Sequence, residues 1–211
     1  PTNSAKYTEH ITYMVNRYKA RVKYWGFWNE VNLSMFYNGT LDGYIHNRLR
    51  PGIDAVKAAD PSAHCCVGEL STSGDDVGKL RTILQEVNAH GKKDLVDVIC
   101  HHSYDGGDTA SGRIADIDTL HNMIVSEGYG SKDFWITESG LDSPNTTTQA
   151  NYVVGMITGM DARPWWKRFF YWQMHEGVGD NFGLTDYPTW DPKPAYNSYQ
   201  SYISNHTNDQ G

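Results

Sequence analysis

Lys132-Asp133-Phe134-Trp135-Ile136-Thr137-Glu138-Ser139-Gly140 is an apolar, aromatic-rich run that stops at a glutamate. A second run of the same make, Lys23-Tyr24-Trp25-Gly26-Phe27-Trp28-Asn29-Glu30, lies more than a hundred positions upstream. Strands covered on both faces read as continuous apolar runs, so both segments are expected to be interior strands of a parallel sheet. Each would then hold a carboxylate at its carboxyl end. Carboxylates are costly to bury and seldom close a hydrophobic run by accident.

The same kind of run recurs at Cys65 to Gly68, Val96 to Cys100 and Phe169 to Gln173, and the two glutamate-ended runs place strands at Tyr24 to Trp28 and Phe134 to Thr137, the first and fourth of five. Between them, helical periodicity covers Leu41 to Ala59, Val77 to Ala89, Ile114 to Glu127 and Thr147 to Met160. A helix at about Tyr7 to Arg21 precedes the first strand, and one at about Pro194 to Ser204 comes after the last. Ser73-Gly74-Asp75-Asp76 and Thr146-Thr147-Thr148-Gln149 have the form of capping boxes. Apolar strands joined by crossover helices define an α/β fold with a parallel sheet. With 211 residues and no internal boundary, one domain over 1–211 is expected.

The formal charge of -7 comes from 18 basic and 25 acidic residues with no basic run, which argues against nucleic acid as a partner. No apolar stretch approaches the roughly 20 residues that span a bilayer, so no membrane partner is expected. Pro1-Thr2-Asn3-Ser4 has no signal-peptide pattern, so a soluble chain is expected, with any export signal removed or never there. Cys65, Cys66 and Cys100 all lie in apolar strand-like segments. Neighbours on a strand face opposite ways, so Cys65 and Cys66 cannot both meet Cys100, and buried free thiols are preferred over a zinc site with His101 or His102.

Function in parallel barrels collects at the carboxyl ends of strands. Those ends read Asn29-Glu30, Glu69, His102 with Tyr104, Glu138 and Trp172. The segment from His175 to Lys193 is the longest without regular structure, and its Asn181-Phe182-Gly183-Leu184 and Tyr187-Pro188-Thr189-Trp190 look like a lid or a wall. Pro164-Trp165-Trp166-Lys167-Arg168 stands before the last strand, where packing is the expected role.

These residues, in this order, resemble the clan A glycoside hydrolases, (β/α)8 barrels that cleave glycosidic bonds with retention of configuration. Trp28-Asn29-Glu30-Val31-Asn32 is similar to their Trp-Asn-Glu-Pro-Asn signature on strand four, with Val31 where the family has proline. Val98-Ile99-Cys100-His101-His102-Ser103-Tyr104 is similar to strand six, and Phe134-Trp135-Ile136-Thr137-Glu138-Ser139 to strand seven. Phe170-Tyr171-Trp172, Asn181-Phe182-Gly183-Leu184 and Lys193-Pro194-Ala195-Tyr196 are similar to strand eight and the stretch after it. Families 39 and 5 are nearest, and the resemblance covers nearly the whole chain. It implies a partial (β/α)8 barrel holding the equivalents of strands 4 to 8, with a site open on one side.

The resemblance further implies Glu138 as nucleophile and Glu30 as acid and then base, their carboxyl groups about 5 to 5.5 Å apart. Two buried salt bridges at strand ends are the plain alternative. Asn29 is implied as ligand of a sugar hydroxyl, with turn stabilisation as the alternative; Trp172, at the end of the last strand, is expected as a stacking platform, with core packing as the alternative, and Tyr104 as hydrogen-bond donor to Glu138. His102 is either a substrate contact or a satisfied core histidine, while His101 is expected to point away. Glu69 is either a subsite contact or a helix-facing ion-pair partner. No metal or organic cofactor is needed. The expected function is a retaining β-glycosidase acting on carbohydrate. The alternative is an incomplete barrel that turns over poorly, binds sugar or assembles as a homo-oligomer through exposed barrel edges.

Overall fold

The apolar runs and helical periods alternate as strands and helices in the computed structural model, which describes residues 4–72, 75–104 and 109–206. Helix α1 (Ser4–Tyr18) leads into strand β1 (Tyr24–Trp25). Helix α2 (Leu41–Tyr44) runs through a π-helical segment, Ile45–Leu49, into α3 (Arg50–Ala59). There follow β2 (His64–Ser71), α4 (Asp76–Ala89), β3 (Val96–His102), α5 (Ala110–Ser126), β4 (Asp133–Ser139), α6 (Thr146–Asp161), β5 (Trp166–Tyr171) and α7 (Pro194–Asn205).

The strands order as β1-β2-β3-β4-β5 in one sheet, and β1 pairs with β2 in parallel, Tyr24 opposite His64 and Trp25 opposite Cys65. Each later strand is reached through a crossover helix, the connection that parallel neighbours require. This is the expected α/β class, a partial (β/α)8 barrel. No helix among the described residues is long and apolar enough to cross a membrane.

Several boundaries differ from those expected. β1 ends at Trp25 instead of Trp28; in its register the residue opposite Trp28 is Gly68, at φ 121, followed by Glu69 at φ 55, both outside the usual strand region. β2, β3 and β4 each run further than expected, to Ser71, His102 and Ser139, while β5 starts before the expected Phe169, at Trp166, and ends at Tyr171, short of the expected Gln173. The helix expected over 41–59 is interrupted by the π-helical segment, where the Arg50 amide donates to the Ile45 carbonyl. Pro51 brings no N–H to the Asn47 carbonyl, and the Arg48 guanidinium donates to it instead at 2.6 Å. At α6 the capping residue is Asn145 rather than Thr146, its side chain accepting from the Thr147 and Thr148 amides. At α4, Asp75 caps by accepting from the Gly78 amide, while Ser73 and Gly74 of that expected box lie outside the described residues.

The chain forms two compact units, Pro1–His101 with His121–Trp135, and His102–Leu120 with Ile136–Gly211. In the first, α1 packs on α3, and the Tyr7 hydroxyl donates to the Phe27 carbonyl at 2.8 Å. Gly52 makes room for the Phe27 ring, which a Cβ there would approach to 2.5 Å. Cys66, Val98, Cys100 and Trp135 form one buried cluster. All three cysteines are free and buried, as expected, and burial pushes the Cys65 thiol up to about 12. In the second unit α6 packs on α7 and β5, Gly155 admits Ala110 of α5, and Arg163 clasps the Asp118 carboxylate with two bonds of 2.6 Å. Trp166 is buried at the start of β5, the packing role expected of its cluster.

Gly68 is the position most exacting in sequence, since a Cβ there would lie 2.1 Å from the Cys100 carbonyl oxygen at a dihedral that side chains avoid. Gly68→Ala is expected to lower unfolding free energy by about 3 kcal/mol. Urea denaturation checks this, and a loss below about 0.5 kcal/mol would contradict the assigned backbone.

Candidate active site

In the first unit the segment after β1 is held to the end of β2 by backbone and side-chain bonds. The Glu30 amide donates to the Glu69 carbonyl at 2.9 Å. The Asn32 side chain donates to the Ser71 carbonyl at 2.7 Å and accepts from the Ser71 amide at 3.1 Å. Glu30 has φ 45 and Glu69 φ 55, so two carboxylate residues joined by one hydrogen bond both occupy the left-handed region. Non-glycine residues there are uncommon and gather at functional sites.

Glu30 is thus five residues beyond the last paired residue of β1, and it is buried, with 7 % of its surface exposed. The Glu69 carboxylate lies against the Gly26 backbone, where a Cβ would come within 2.4 Å of Oε1. Of the two expectations for Glu69, this places it beside the segment that carries Glu30. Burial pushes the Tyr7 hydroxyl up to about 12, with Arg48 opposing and the Glu69 charge adding to the rise. Asn29 is exposed. The Trp28 indole donates to the Phe36 carbonyl at 3.0 Å and meets the edge of Tyr37 at 5.7 Å between centroids.

In the second unit Glu138 is the penultimate residue of β4, and its carbonyl accepts from the Ser103 amide at 2.8 Å. The Tyr104 hydroxyl donates to Glu138 Oε2 at 3.0 Å, and His102 Nδ1 stands 3.6 Å from the same oxygen. The His102 ring is almost wholly buried, whereas a quarter of the Glu138 side chain is exposed, so the carboxylate can meet an incoming molecule. His101 faces the other way, Nε2 lying 3.2 Å from the Asp76 carboxylate, as the alternation of a strand requires.

The residues behind Glu138 are locked. Ser139 Oγ donates to the Ser103 carbonyl, so its bond with the Tyr152 hydroxyl is one in which the tyrosine donates. Arg113 donates to the Ser103 carbonyl at 3.3 Å and lies over the Tyr152 ring. The Trp172 amide donates to the Ser139 carbonyl at 2.9 Å, and Trp172 is 45 % exposed. A Cβ on Gly140 would lie 2.1 Å from the Trp172 carbonyl oxygen, so this close approach needs glycine.

The segment 175–193 is pinned rather than loose. Lys193 donates to Glu176 Oε1 and the Asn181 carbonyl, Asp180 accepts from the Gly177 and Phe182 amides, and buried Gln149 donates to the Phe182 carbonyl at 3.0 Å. Phe182 presents its edge to Tyr104 at 6.0 Å. A wall, of the two expected forms, fits this bonding.

Of the residues that the sequence singles out, Glu138, His102, Tyr104 and Trp172 lie in the second unit, and Asn29, Glu30 and Glu69 lie in the first on two adjoining segments. Sequence reasoning missed the positioning parts played by Asn32, Ser103, Arg113 and Tyr152. Asn32 and Ser103 lie inside the strand-end motifs; Arg113 and Tyr152 carry no local signal, being ordinary helix residues.

The partial (β/α)8 barrel is a fold that this chain shares with solved glycoside hydrolases. A β-xylosidase of Caulobacter crescentus, described as monomeric, superposes with a TM-score of 0.78 at 20 % identity, covering 95 % of this chain and 47 % of that one. A GH128 endo-β-1,3-glucanase of Amycolatopsis mediterranei gives 0.71 at 17 % identity, covering 92 % and 78 %. In sequence, endo-1,4-β-xylanase 3 of Hypocrea jecorina is 24 % identical over 212 aligned residues, 90 % of this chain and 54 % of that protein. The chain therefore spans about half the length of the xylosidase and of the xylanase. No protein-family model matches it.

Proposed function

We propose that this chain carries the catalytic glutamates of a retaining glycoside hydrolase acting on β-linked glycans. The hydrogen bond from Tyr104 to Glu138, at the carboxyl end of a buried strand, is the observation that carries the reading. Relatives named as β-xylosidase, endo-1,4-β-xylanase and endo-β-1,3-glucanase support the substrate class.

In the first step Glu138 attacks the anomeric carbon and forms an ester as the glycosidic carbon–oxygen bond breaks. Glu30 gives its proton to the departing oxygen. In the second, Glu30 takes a proton from water, the water oxygen attacks the anomeric carbon, and Glu138 leaves as carboxylate. Tyr104 steadies the negative charge on Glu138 Oε2, before attack and again on release. Asn29 holds the sugar 2-hydroxyl, His102 and Glu69 bind further hydroxyls, and Trp172 stacks on a ring. The span 1–211 is read as a single incomplete (β/α) barrel catalytic domain, and the chemistry requires neither metal nor organic cofactor.

With aryl β-xylosides, wild-type kcat/KM is expected to exceed that of Glu138→Gln by about 10³-fold or more, and that of Glu30→Gln by about 10²- to 10⁴-fold. A wild type as inert as Glu138→Gln, while still binding xylo-oligosaccharide, would overturn the catalytic reading.

A second reading concerns assembly. β1 and β5 end the strand order, and Phe170 on β5 is 47 % exposed beside a groove lined by Ile157, Met160, Tyr199 and Ile203. We propose that a second copy of the chain covers this face, as unpaired sheet edges favour pairing. Sedimentation velocity at micromolar concentration is expected to show a dimer that Phe170→Lys dissociates, and a monodisperse wild-type monomer would contradict it.

A further inference from the structure

Away from both glutamates of the proposed reaction, the first unit brings together His46 of the π-helical segment, Glu86 of α4 and His90, the residue that caps α4. One donor atom from each lies within 4.8 Å of the other two. Glu86 and His90 are one helical turn apart, so their proximity follows from the helix. The presence of His46 does not, since it comes from an element forty positions earlier and meets His90 ring to ring at 5.9 Å and 87°.

The two imidazoles are oriented alike. His46 Nδ1 lies 3.0 Å from the Asp42 carbonyl and His90 Nδ1 lies 2.8 Å from the Glu86 carbonyl. A carbonyl only accepts, so in both bonds Nδ1 carries the proton and Nε2 keeps its lone pair. That is how metal-binding histidines are held, with one nitrogen fixed by an outer acceptor and the other left for the ion. The Asp42 carboxylate, 3.1 Å from His46 Nδ1, strengthens the same arrangement. All three side chains are partly exposed, between 35 and 40 %, so an ion reaches them without unfolding.

We propose that His46, Glu86 and His90 form a zinc-binding site that ties the helical run Leu41–Ala59 to α4. Two imidazoles and one carboxylate suit Zn2+ and its late transition-metal neighbours, whereas Mg2+ and Ca2+ demand oxygen ligands. Three protein ligands leave a fourth position to water. The net charge of -7 favours cation binding in general, and the position of the ion is set by the nitrogen pair. The site is independent of the glycosidase reading and stands or falls by metal binding alone.

Calorimetric titration of the chelator-stripped chain with zinc chloride tests it. The wild type is expected to bind one equivalent with a rise in Tm. His46→Asn and His90→Asn each weaken binding by at least about 100-fold, and Asp42→Asn by about 10-fold. The stripped variants keep the Tm of the stripped wild type, because these side chains are at the surface. Glu138→Gln binds zinc as the wild type does. No zinc uptake by the wild type, unaltered uptake by both histidine variants, or uptake abolished by Glu138→Gln alone would each overturn the proposal.

Discussion

The hydrogen bond from the Ser103 amide to the Glu138 carbonyl extends the pairing of β3 with β4 past His102. On it depends where three side chains point. His102 is the last residue of β3, Tyr104 lies two residues on, and both approach one oxygen of Glu138. Were the Ser103 bond to slip by one residue, every side chain beyond it would face the opposite side of the sheet. Ser139 and Arg113 both donate to the Ser103 carbonyl, and the Tyr152 hydroxyl donates in turn to Ser139 Oγ. Buried hydrogen bonds of this kind stiffen a mount, and a stiff mount is what electrostatic positioning needs.

A different device serves Glu30. It follows a two-residue strand, and its place is set by its own amide on the Glu69 carbonyl and by the reciprocal bonds of Asn32 with Ser71. Glu30 and Glu69 both take left-handed dihedrals, each costing about 1 to 3 kcal/mol. That cost is offset by burial around it, with Phe27, Val31 and Leu70 all withdrawn from water. Gly26 allows the two segments their closeness at the Glu69 carboxylate, and Gly68 allows β2 to approach the Cys100 carbonyl of β3.

The alternation of elements was legible because burial on both faces leaves an unmistakable apolar run, as in Val96–His102, and because crossover helices have their own period. The candidate site was legible at Glu138, Glu30 and His102 because a carboxylate or imidazole closing such a run stands out. Backbone conformation was not legible. Nothing in the letters around Glu69 announces a left-handed residue, so the early end of β1 could not be foreseen. Nor could the cap at Asn145, one residue before the threonine run, since asparagine and threonine both serve as caps and only the observed bonds choose between them. The firmness of segment 175–193 depends on Lys193 with Glu176 and on Gln149, partners far apart in sequence whose pairing carries no local period.

In this account the carboxylate steadied by Tyr104 becomes covalently joined to the sugar. Mass spectrometry of the protein quenched during turnover of a 2-deoxy-2-fluoro-β-xyloside with a good leaving group tests that most directly. The account predicts a glycosyl ester on the peptide containing Glu138. An ester on another residue, or turnover with inverted product and no ester, would contradict it.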